Sequence, residues 1–355
     1  MFDLSTTIIF PFLVALITTL VITPISLIFI RKMGLIDDPL KRKHPAALHS
    51  KPIPRAGGIS LFIGIAITGL LFLPIEKITI ALFLAGFICL IIGVLDDKYD
   101  ISPYFRFLIN IVSATIVVYA GANISFITNP FGGILYLSSV QIPFLAQHSS
   151  IIFSYLIAIL WIVWIMNMLN WSKGVDGQMP GIVAISAIVI GILSLRFPVI
   201  DHYSLISAKL SFMIAGAAIG FLFFNFYPAK IFPGYSATAV YLFLAVVSIL
   251  ASAKLATAVL VMGVPIIDGI FTIIRRVLSG KSPFWHDKKH LHHLLLKRGY
   301  SHRRIALFYW LISAILGSLA LVLSSKGKLF AIVMLAIIVS GTILFLQLTI
   351  ENPDD

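Results

Sequence analysis

Long apolar runs alternate with short polar segments along the whole chain. Each run is close to the length, roughly 17 to 25 residues, that a helix needs to cross a membrane. The runs cover residues 7–30, 57–74, 78–95, 105–121, 150–169, 180–196, 206–225, 236–251, 255–274, 305–323 and 328–349. This pattern predicts an all-α polytopic membrane protein, with about 11 transmembrane helices in a single domain that covers residues 1–355.

Two local patterns refine the predicted helices. Pro265 lies inside the ninth run, and because proline lacks a backbone N–H and clashes with the preceding turn, it breaks a helix. We therefore expect one helix to be broken near Pro265. Residues 122–149 alternate apolar and polar positions around Gly132 and Gly133, which predicts a small external β-hairpin.

Composition supports the membrane assignment. The 355 residues are 59% hydrophobic and 11% charged, whereas about 25% of a soluble protein's residues are charged. The single cysteine excludes a disulfide framework. Because the net charge of +12 is concentrated at the ends of apolar runs, it indicates membrane topology, and we expect no nucleic-acid partner.

Lysine and arginine also predict orientation. With the N-terminus outside, the inside segments carry 20 of the 26 Lys and Arg residues, and the outside segments carry six. Because positively charged loops stay in the cytoplasm, the chain is expected to be integral to the cytoplasmic membrane. Most of its acidic residues lie in the same inside segments, so we expect the active site to face the cytoplasm.

Three acidic residues follow the third apolar run. Asp96, Asp97 and Asp100 fall within five positions, in a chain that has only 14 acidic residues. Carboxylates this close to an apolar span need a positive partner. A divalent metal that bridges Asp96 and Asp97 to phosphate oxygens is one interpretation. A solvated loop, with Asp100 or Ser102 capping the next helix, is the other.

Two further inside segments carry residues suited to bind polar ligands. Lys51 begins a Lys-Pro-x-Pro-Arg-x-Gly-Gly sequence, which we interpret as a phosphate-binding lip. Asn167 and Asn170 lie about one helical turn apart at the end of the fifth run. Their amides suit a sugar or a uracil edge, and helix-end capping is the alternative.

The ninth run and the loop after it carry an acid and three histidines. Asp268 follows Pro265 at membrane depth, where an acid is either functional or paired with Arg275 or Arg276. His290, His292 and His293 lie in the largest inside loop, together with His286. Contacts to phosphate are one interpretation of the histidines, and a structural zinc site is another.

These motifs resemble the polyprenyl-phosphate N-acetylhexosamine-1-phosphate transferases, glycosyltransferase family 4. The matching motifs are Asp96-Asp-x-x-Asp100, Asn167-x-x-Asn170 with Gly-x-Asp176-Gly, Asn225-x-x-Pro-Ala-x-x-Phe232, Pro265-x-x-Asp268 and His290-x-His-His293. The last motif resembles the branch that uses UDP-N-acetylglucosamine. The resemblance implies transfer of a sugar 1-phosphate from a UDP-sugar to undecaprenyl or another polyprenyl phosphate, with release of UMP and with Mg²⁺ as cofactor.

The resemblance and the motifs together define the expected site. The catalytic residues are Asp96, Asp97 and Asp268, and the metal ligands are Asp96 and Asp97. The expected substrate-binding residues are Lys51, Asn167, Asn170, Lys173, Asp176, Asn225, Tyr235, His290, His292 and His293. The expected partners are a UDP-sugar, a polyprenyl phosphate lipid and the membrane, and a homodimer is compatible with this interpretation.

Two positions depart from the family pattern. Lys173 and Tyr235 stand where the pattern has aspartate. One hypothesis is that the Lys173 ammonium neutralises the pyrophosphate in place of a metal, while the Tyr235 hydroxyl caps the vacant ligand position. The alternative is a catalytically inactive paralogue that binds nucleotide-sugar or lipid phosphate. A transporter is disfavoured, because only Asp268 is a candidate for a charge inside a span.

Overall fold

A computed structural model describes residues 3–40, 51–129, 131–137, 149–196, 200–250, 255–285 and 287–350. A π-helical turn, Ser5–Ile9, precedes the first α-helix. The α-helices of this described part are α1 Phe10–Lys32, α2 Gly58–Phe72, α3 Lys77–Tyr99, α4 Pro103–Tyr119, α5 Ser149–Trp171, α6 Gln178–Ser194, α7 His202–Asn225, α8 Thr238–Leu250, α9 Leu255–Val261, α10 Gly263–Leu278, α11 Leu291–Lys297, α12 His302–Val322 and α13 Ser325–Thr349.

The predicted all-α membrane architecture is confirmed. Within the described ranges, six helices are long and apolar enough to cross a membrane, and the bent pair of α9 and α10 provides a seventh candidate. The other four predicted spans are the shorter apolar helices α2, α4, α6 and α8. Each apolar run thus forms a helix or a bent helix pair, and the number of crossings, about eleven, stays a prediction.

The predicted helix break is confirmed. Helices α9 and α10 meet at Met262 with a bend of 83°. Pro265 lies in the first turn of α10. Backbone N–H groups in a first turn have no partner within the helix, so proline is tolerated there. The break therefore precedes the proline by one turn.

The predicted hairpin is also found. Strand β3, Phe126–Thr128, pairs antiparallel with strand β4, Ile134–Tyr136. Gly132 and Gly133 both adopt positive φ angles in the turn between them, a conformation that favours glycine. Residues 138–148, the rest of the predicted segment, lie outside the described residues.

Helix α7 packs closely against α1 through glycines. A Cβ atom on Gly216 would overlap the Phe12 carbonyl oxygen, and one on Gly220 would overlap that of Leu16. Small residues allow helix backbones to approach each other in this way, and close packing then drives association within a membrane. Helix α8 is buried along its whole length. Together α7 and α8 form the centre of the bundle.

At one end of the bundle, a hydrogen bond joins the starts of two helices. Nε2 of His202, at the start of α7, lies 2.9 Å from Oε2 of Glu76, just before α3. Helices α3 and α7 therefore run in the same direction, and their C-terminal residues, Tyr99 and Asn225, lie toward the opposite end. The inside segments predicted from the charge distribution meet at that opposite end.

The loop before α8 is held tightly between two other segments. The N–H groups of Gly57 and Gly58 donate to the carbonyls of Phe232 and Pro233, both at 2.9 Å. A Cβ atom on Gly58 or on Gly93 would overlap the backbone at Ser236. These contacts bring the predicted phosphate lip, the end of α3 and the loop before α8 together.

Candidate active site

A cavity of about 840 Å³ opens where these segments meet. Its walls carry seven Lys or Arg side chains and four Asp side chains, so its charge favours an anionic ligand. Nine of the thirteen predicted site residues line it. These are Lys51, Asn167, Asn170, Lys173, Asp176, Tyr235, His290, His292 and His293.

Asp97 lies behind the cavity wall with both carboxylate oxygens occupied. Nε of Arg55 donates to Oδ1 at 2.8 Å. The backbone N–H of Tyr235 donates to Oδ1 at 2.7 Å, and that of Ser236 donates to Oδ2 at 3.1 Å. Asp97 therefore fixes the loop before α8 and neutralises one guanidinium group.

Asp96 is fully buried and binds a second guanidinium group. Nη1 of Arg106, in the first turn of α4, donates to both oxygens of Asp96 at 3.0 and 3.1 Å. The solvated-loop interpretation is therefore wrong for Asp96 and Asp97. Ser102 does occupy the N-cap position of α4, but its side chain makes no capping hydrogen bond, while Asp100 lines the cavity.

Tyr235 is buried, and its ring lies close to two cations. The centre of the ring is 4.8 Å from the Arg106 guanidinium carbon and 5.6 Å from Nζ of Lys173, within the range of cation–π attraction. Its hydroxyl accepts a hydrogen bond from Nδ2 of Asn110 at 3.1 Å. The ring therefore contacts cations, and the predicted capping role of the hydroxyl stays a prediction.

Lys173 lies in the loop after α5 and is half-buried at the cavity wall. Removal from bulk water and repulsion by Arg55 lower the pKa of its ammonium group to about 7, while Asp97 and Asp96 partly oppose that shift. Lys173 therefore lies within electrostatic range of Asp97 and Asp96, and its expected role in place of a metal stays a prediction.

Asn167 and Asn170 differ in their hydrogen bonding. Nδ2 of Asn167 donates to the Val163 carbonyl at 2.8 Å, which is the expected helix-end contact. Oδ1 of Asn170 is buried, and no donor among the described residues reaches it. Because buried acceptors are nearly always satisfied, this oxygen at the cavity wall fits a ligand N–H or O–H group.

Asn225 was predicted to bind substrate, and the structure corrects this. Its side chain is buried behind the cavity wall, with Nδ2 donating to the Ile231 carbonyl at 2.9 Å. Its Oδ1 accepts from the N–H of Gly177 at 3.0 Å. These two hydrogen bonds join two loops, and the buried Asn225 side chain does not line the cavity.

Asp268 also lies behind the wall, where it holds the histidine loop. Its Oδ2 is 2.9 Å from Nδ1 of His290, and its Oδ1 accepts from the N–H of Leu291 at 3.1 Å. The alternative pairing with Arg275 or Arg276 is wrong, because both bind Asp287 at 2.9 Å. Burial raises the pKa of Asp287, but the two guanidinium groups outweigh it and lower the pKa to about 2.

The three histidine rings lie next to one another, and two of them are stacked. The rings of His290 and His292 are parallel within 6°, with centres 5.7 Å apart, and those of His292 and His293 are 4.3 Å apart. Burial and the neighbouring rings lower the pKa of His292 well below its usual value, and that of His293 to about 4. Both rings are therefore neutral at physiological pH and can donate one N–H each. His286 lies outside the described residues.

The described residues do not present a ready-made site for a divalent metal. Within the described part of the chain, no three His, Cys, Asp or Glu side chains converge in a geometry that holds a metal ion. His290, His292 and His293 therefore do not form the zinc site that was one interpretation of their sequence. Mg²⁺ prefers octahedral oxygen ligands, but Arg55, Arg106 and backbone N–H groups occupy the oxygens of the acid pair. Magnesium dependence stays a sequence prediction.

Arg55 and Arg106 are the residues that sequence reasoning did not assign to the site. Both are separated along the chain from the acids that they bind. The available signal was charge balance, because two buried carboxylates at the end of an apolar helix require nearby cations. Arg55 also stands inside the predicted phosphate lip, where only Lys51 was singled out.

The fold and the cavity define an integral membrane protein that has a positively charged ligand-binding cavity at one end of its helix bundle. A family model, "Glycosyl transferase family 4", matches residues 79–253. The chain is 33% identical over 353 residues to the "Probable undecaprenyl-phosphate N-acetylglucosaminyl 1-phosphate transferase" of Bacillus subtilis, covering 96% of this chain and 90% of that one. The chain belongs to glycosyl transferase family 4.

Two more relatives show similarity of the same extent. A "Decaprenyl-phosphate N-acetylglucosaminephosphotransferase" of Mycolicibacterium smegmatis is 30% identical, over 91% of this chain and 84% of that one. The "Undecaprenyl-phosphate alpha-N-acetylglucosaminyl 1-phosphate transferase" of Escherichia coli K12 is 30% identical, over 86% of this chain and 82% of that one. The similarity therefore extends well beyond the segment that matches the family model.

Proposed function

We propose that this protein transfers a sugar 1-phosphate, N-acetylglucosamine 1-phosphate or a related N-acetylhexosamine 1-phosphate, from a UDP-sugar to a polyprenyl phosphate. One observation carries the proposal. Most of the predicted site residues, although far apart along the chain, line one cationic cavity in a chain that is similar over nearly its whole length to a sugar-phosphate transferase.

The proposed reaction is a phosphoryl-type transfer. An oxygen of the lipid phosphate attacks the β-phosphorus of the UDP-sugar, and the bond from that phosphorus to the bridging oxygen breaks. UMP leaves with the bridging oxygen, and the product is a lipid-linked sugar diphosphate. Such reactions depend mainly on positioning and on stabilising negative charge.

The residues divide this work between them. Lys51 at the lip and Lys173 at the wall are placed to attract the phosphates. The free acceptor of Asn170 suits an N–H donor such as N3 of uracil. The neutral rings of His292 and His293 are suited to donate N–H groups to the sugar or its phosphate. Asp97 and Asp268 act as positioning residues, through Arg55 and His290.

Asp176 joins the nucleotide side of the proposed site to the loop after α7. Its Oδ2 accepts a hydrogen bond from the N–H of Ala229 at 3.0 Å, and its Oδ1 lies 3.7 Å from Nδ1 of His302. In this role Asp176 shapes the wall that contacts the nucleotide.

We further propose that the cavity opens to the cytoplasm. The segments that line it are those that carry most of the Lys and Arg residues, and positive loops are retained in the cytoplasm. A water-soluble nucleotide-sugar and a lipid phosphate can meet at that surface. The homodimer that the sequence allows stays a prediction.

The product assay tests the proposed activity. Purified protein in lipid nanodiscs is incubated with UDP-N-acetylglucosamine and undecaprenyl phosphate, in separate reactions with Mg²⁺ and with EDTA. The proposal expects equal amounts of UMP and of a lipid-extractable N-acetylglucosamine diphosphate. Absence of both products in every reaction, while the Escherichia coli K12 relative makes them in the same nanodiscs, would overturn it. Ligand binding without turnover would identify an inactive paralogue.

A further inference from the structure

The acid pair at this site already has cationic partners built into the chain. The oxygens of Asp97 accept from Arg55 and from two backbone N–H groups, and those of Asp96 accept from Arg106. Nη2 of Arg55 also lies 3.9 Å from Oδ2 of Asp96. A divalent ion placed on these carboxylates would have to displace guanidinium groups and would be repelled by them.

Lys173 adds a third cation that is not bound to a particular acceptor. Within the described ranges, no oxygen accepts a hydrogen bond from its ammonium group, and its contact is with the Tyr235 ring. It lines the cavity, and its donors remain available there. Nζ of Lys173 is not among the buried polar atoms that lack a partner, so its N–H groups are accessible from the cavity and available to an anionic ligand.

The charges at this wall favour such a ligand. The wall carries seven Lys or Arg and four Asp side chains, and Asp96 and Asp97 lie behind it, so the site as a whole is cationic by one unit when Lys173 is protonated. Lysine is a common point-charge partner of phosphate. Compared with the family pattern, lysine and tyrosine in place of two aspartates make the site more positive by three units, whereas a divalent cation contributes two.

We propose that Lys173, supported by Arg55 and Arg106, binds the pyrophosphate of the nucleotide-sugar directly, so that binding requires no divalent cation. This inference rests on the proposed function for the identity of its ligand. The two guanidinium groups neutralise the acid pair, and the Tyr235 ring keeps Arg106 and Lys173 close together. The ammonium group then supplies the charge that the anion needs.

Binding of UDP-N-acetylglucosamine, measured by calorimetry without lipid phosphate, tests the inference apart from turnover. The wild-type protein is compared in EDTA and in Mg²⁺ near pH 6.5, and the dissociation constants are expected to agree within about threefold. Lys173→Met is expected to weaken binding about ten- to hundredfold in EDTA, because a charged hydrogen bond is lost. Lys173→Arg should retain most of the affinity.

The matched control is Lys98→Met, which removes a positive charge from exposed Lys98 near the site but outside the cavity wall. It should bind like the wild type, and an unchanged melting temperature shows that each variant is folded. A wild-type affinity that is lost in EDTA and restored by Mg²⁺ overturns the inference, and so does tight binding by folded Lys173→Met. If binding requires the metal but the protein turns substrate over, the inference fails and the proposed function stands. If binding is independent of the metal but no turnover occurs, the proposed function fails and the inference stands.

Discussion

Arg55 and Asp97 form an ion pair that joins the loop before α2 to the end of α3, with Nε of Arg55 2.8 Å from Oδ1 of Asp97. The same carboxylate accepts the N–H groups of Tyr235 and Ser236. One side chain thus connects three segments that are far apart in the sequence. These contacts support our proposal that Asp97 positions the site, whereas the sequence predicted a catalytic and metal-binding role for it.

Replacement of Asp97 tests this role. Asp97→Asn removes the charge that neutralises Arg55 and places an amide donor against backbone donors. We expect turnover to fall by about 10²- to 10³-fold, as when a group that organises charge stabilisation is lost. UMP release measures the effect. Asp201→Asn is the control, because Asp201 caps α7 and asparagine caps a helix equally well. Equal turnover in the two variants would remove Asp97 from the site.

Gly234 gives a second, geometric test of the same contact. It adopts a positive φ of 71°, and a Cβ atom would overlap the Asp97 carboxylate. Gly234→Ala is therefore expected to lower the free energy of unfolding by about 1–3 kcal/mol and to weaken UDP-N-acetylglucosamine binding. Gly341→Ala provides the comparison, because Gly341 has open space around it. The free energy of unfolding is measured for both variants by titration with a denaturing detergent. Equal values for Gly234→Ala and Gly341→Ala would contradict this geometry.

Much of the fold could be predicted, because apolar run length and proline placement act locally. Each apolar run forms a helix or a bent pair, and Pro265 marks the bend. The partners of the acids could not be predicted in the same way. Arg55 binds Asp97 across 41 intervening positions, and Asp268 binds His290 in preference to Arg275, although Arg275 is nearer in sequence. Those choices depend on how the helices pack.

Asn225 shows the limit of motif reasoning most clearly. Its type and its place at the end of α7 suit a ligand contact, yet both ends of its amide bind backbone groups. A motif records that a residue type is needed, and it does not distinguish a residue that touches the ligand from one that shapes the wall. That distinction required the positions of Gly177 and Ile231.

The pKa of about 7 at Lys173 predicts a pH dependence of binding. The charged groups that face its ammonium are Arg55, Arg106, Asp96 and Asp97. An anion raises this pKa on binding, so affinity is highest below pH 7 and falls as the free ammonium loses its proton. In EDTA, we expect UDP-N-acetylglucosamine affinity to fall about tenfold between about pH 6 and pH 8.

Lys173→Arg isolates that effect, because arginine keeps its charge throughout this range. The pyrophosphate of a nucleotide-sugar does not titrate here, and the cavity histidines are present in both proteins. The difference between the two pH profiles therefore belongs to Lys173. Parallel profiles would show that the ammonium does not contact the pyrophosphate.

The orientation of the cavity can be tested by labelling single cysteines. Lys281 and Lys326 are both exposed, in the loop after α10 and near the start of α13, and the native Cys89 is buried. A membrane-impermeant maleimide added to intact cells should label Lys326→Cys and not Lys281→Cys. In permeabilised cells, the maleimide should label both variants. Labelling of Lys281→Cys from outside would contradict a cytoplasmic cavity.

The most direct measurement is the rate of UMP release by the wild-type protein, with UDP-N-acetylglucosamine and undecaprenyl phosphate, in EDTA and in Mg²⁺. If Lys173 and the two arginines supply the charge at this site, the rate in EDTA should stay within about tenfold of the rate in Mg²⁺, and the lipid-linked product should form in both. A rate that falls to background in EDTA and returns when Mg²⁺ is added would contradict the account.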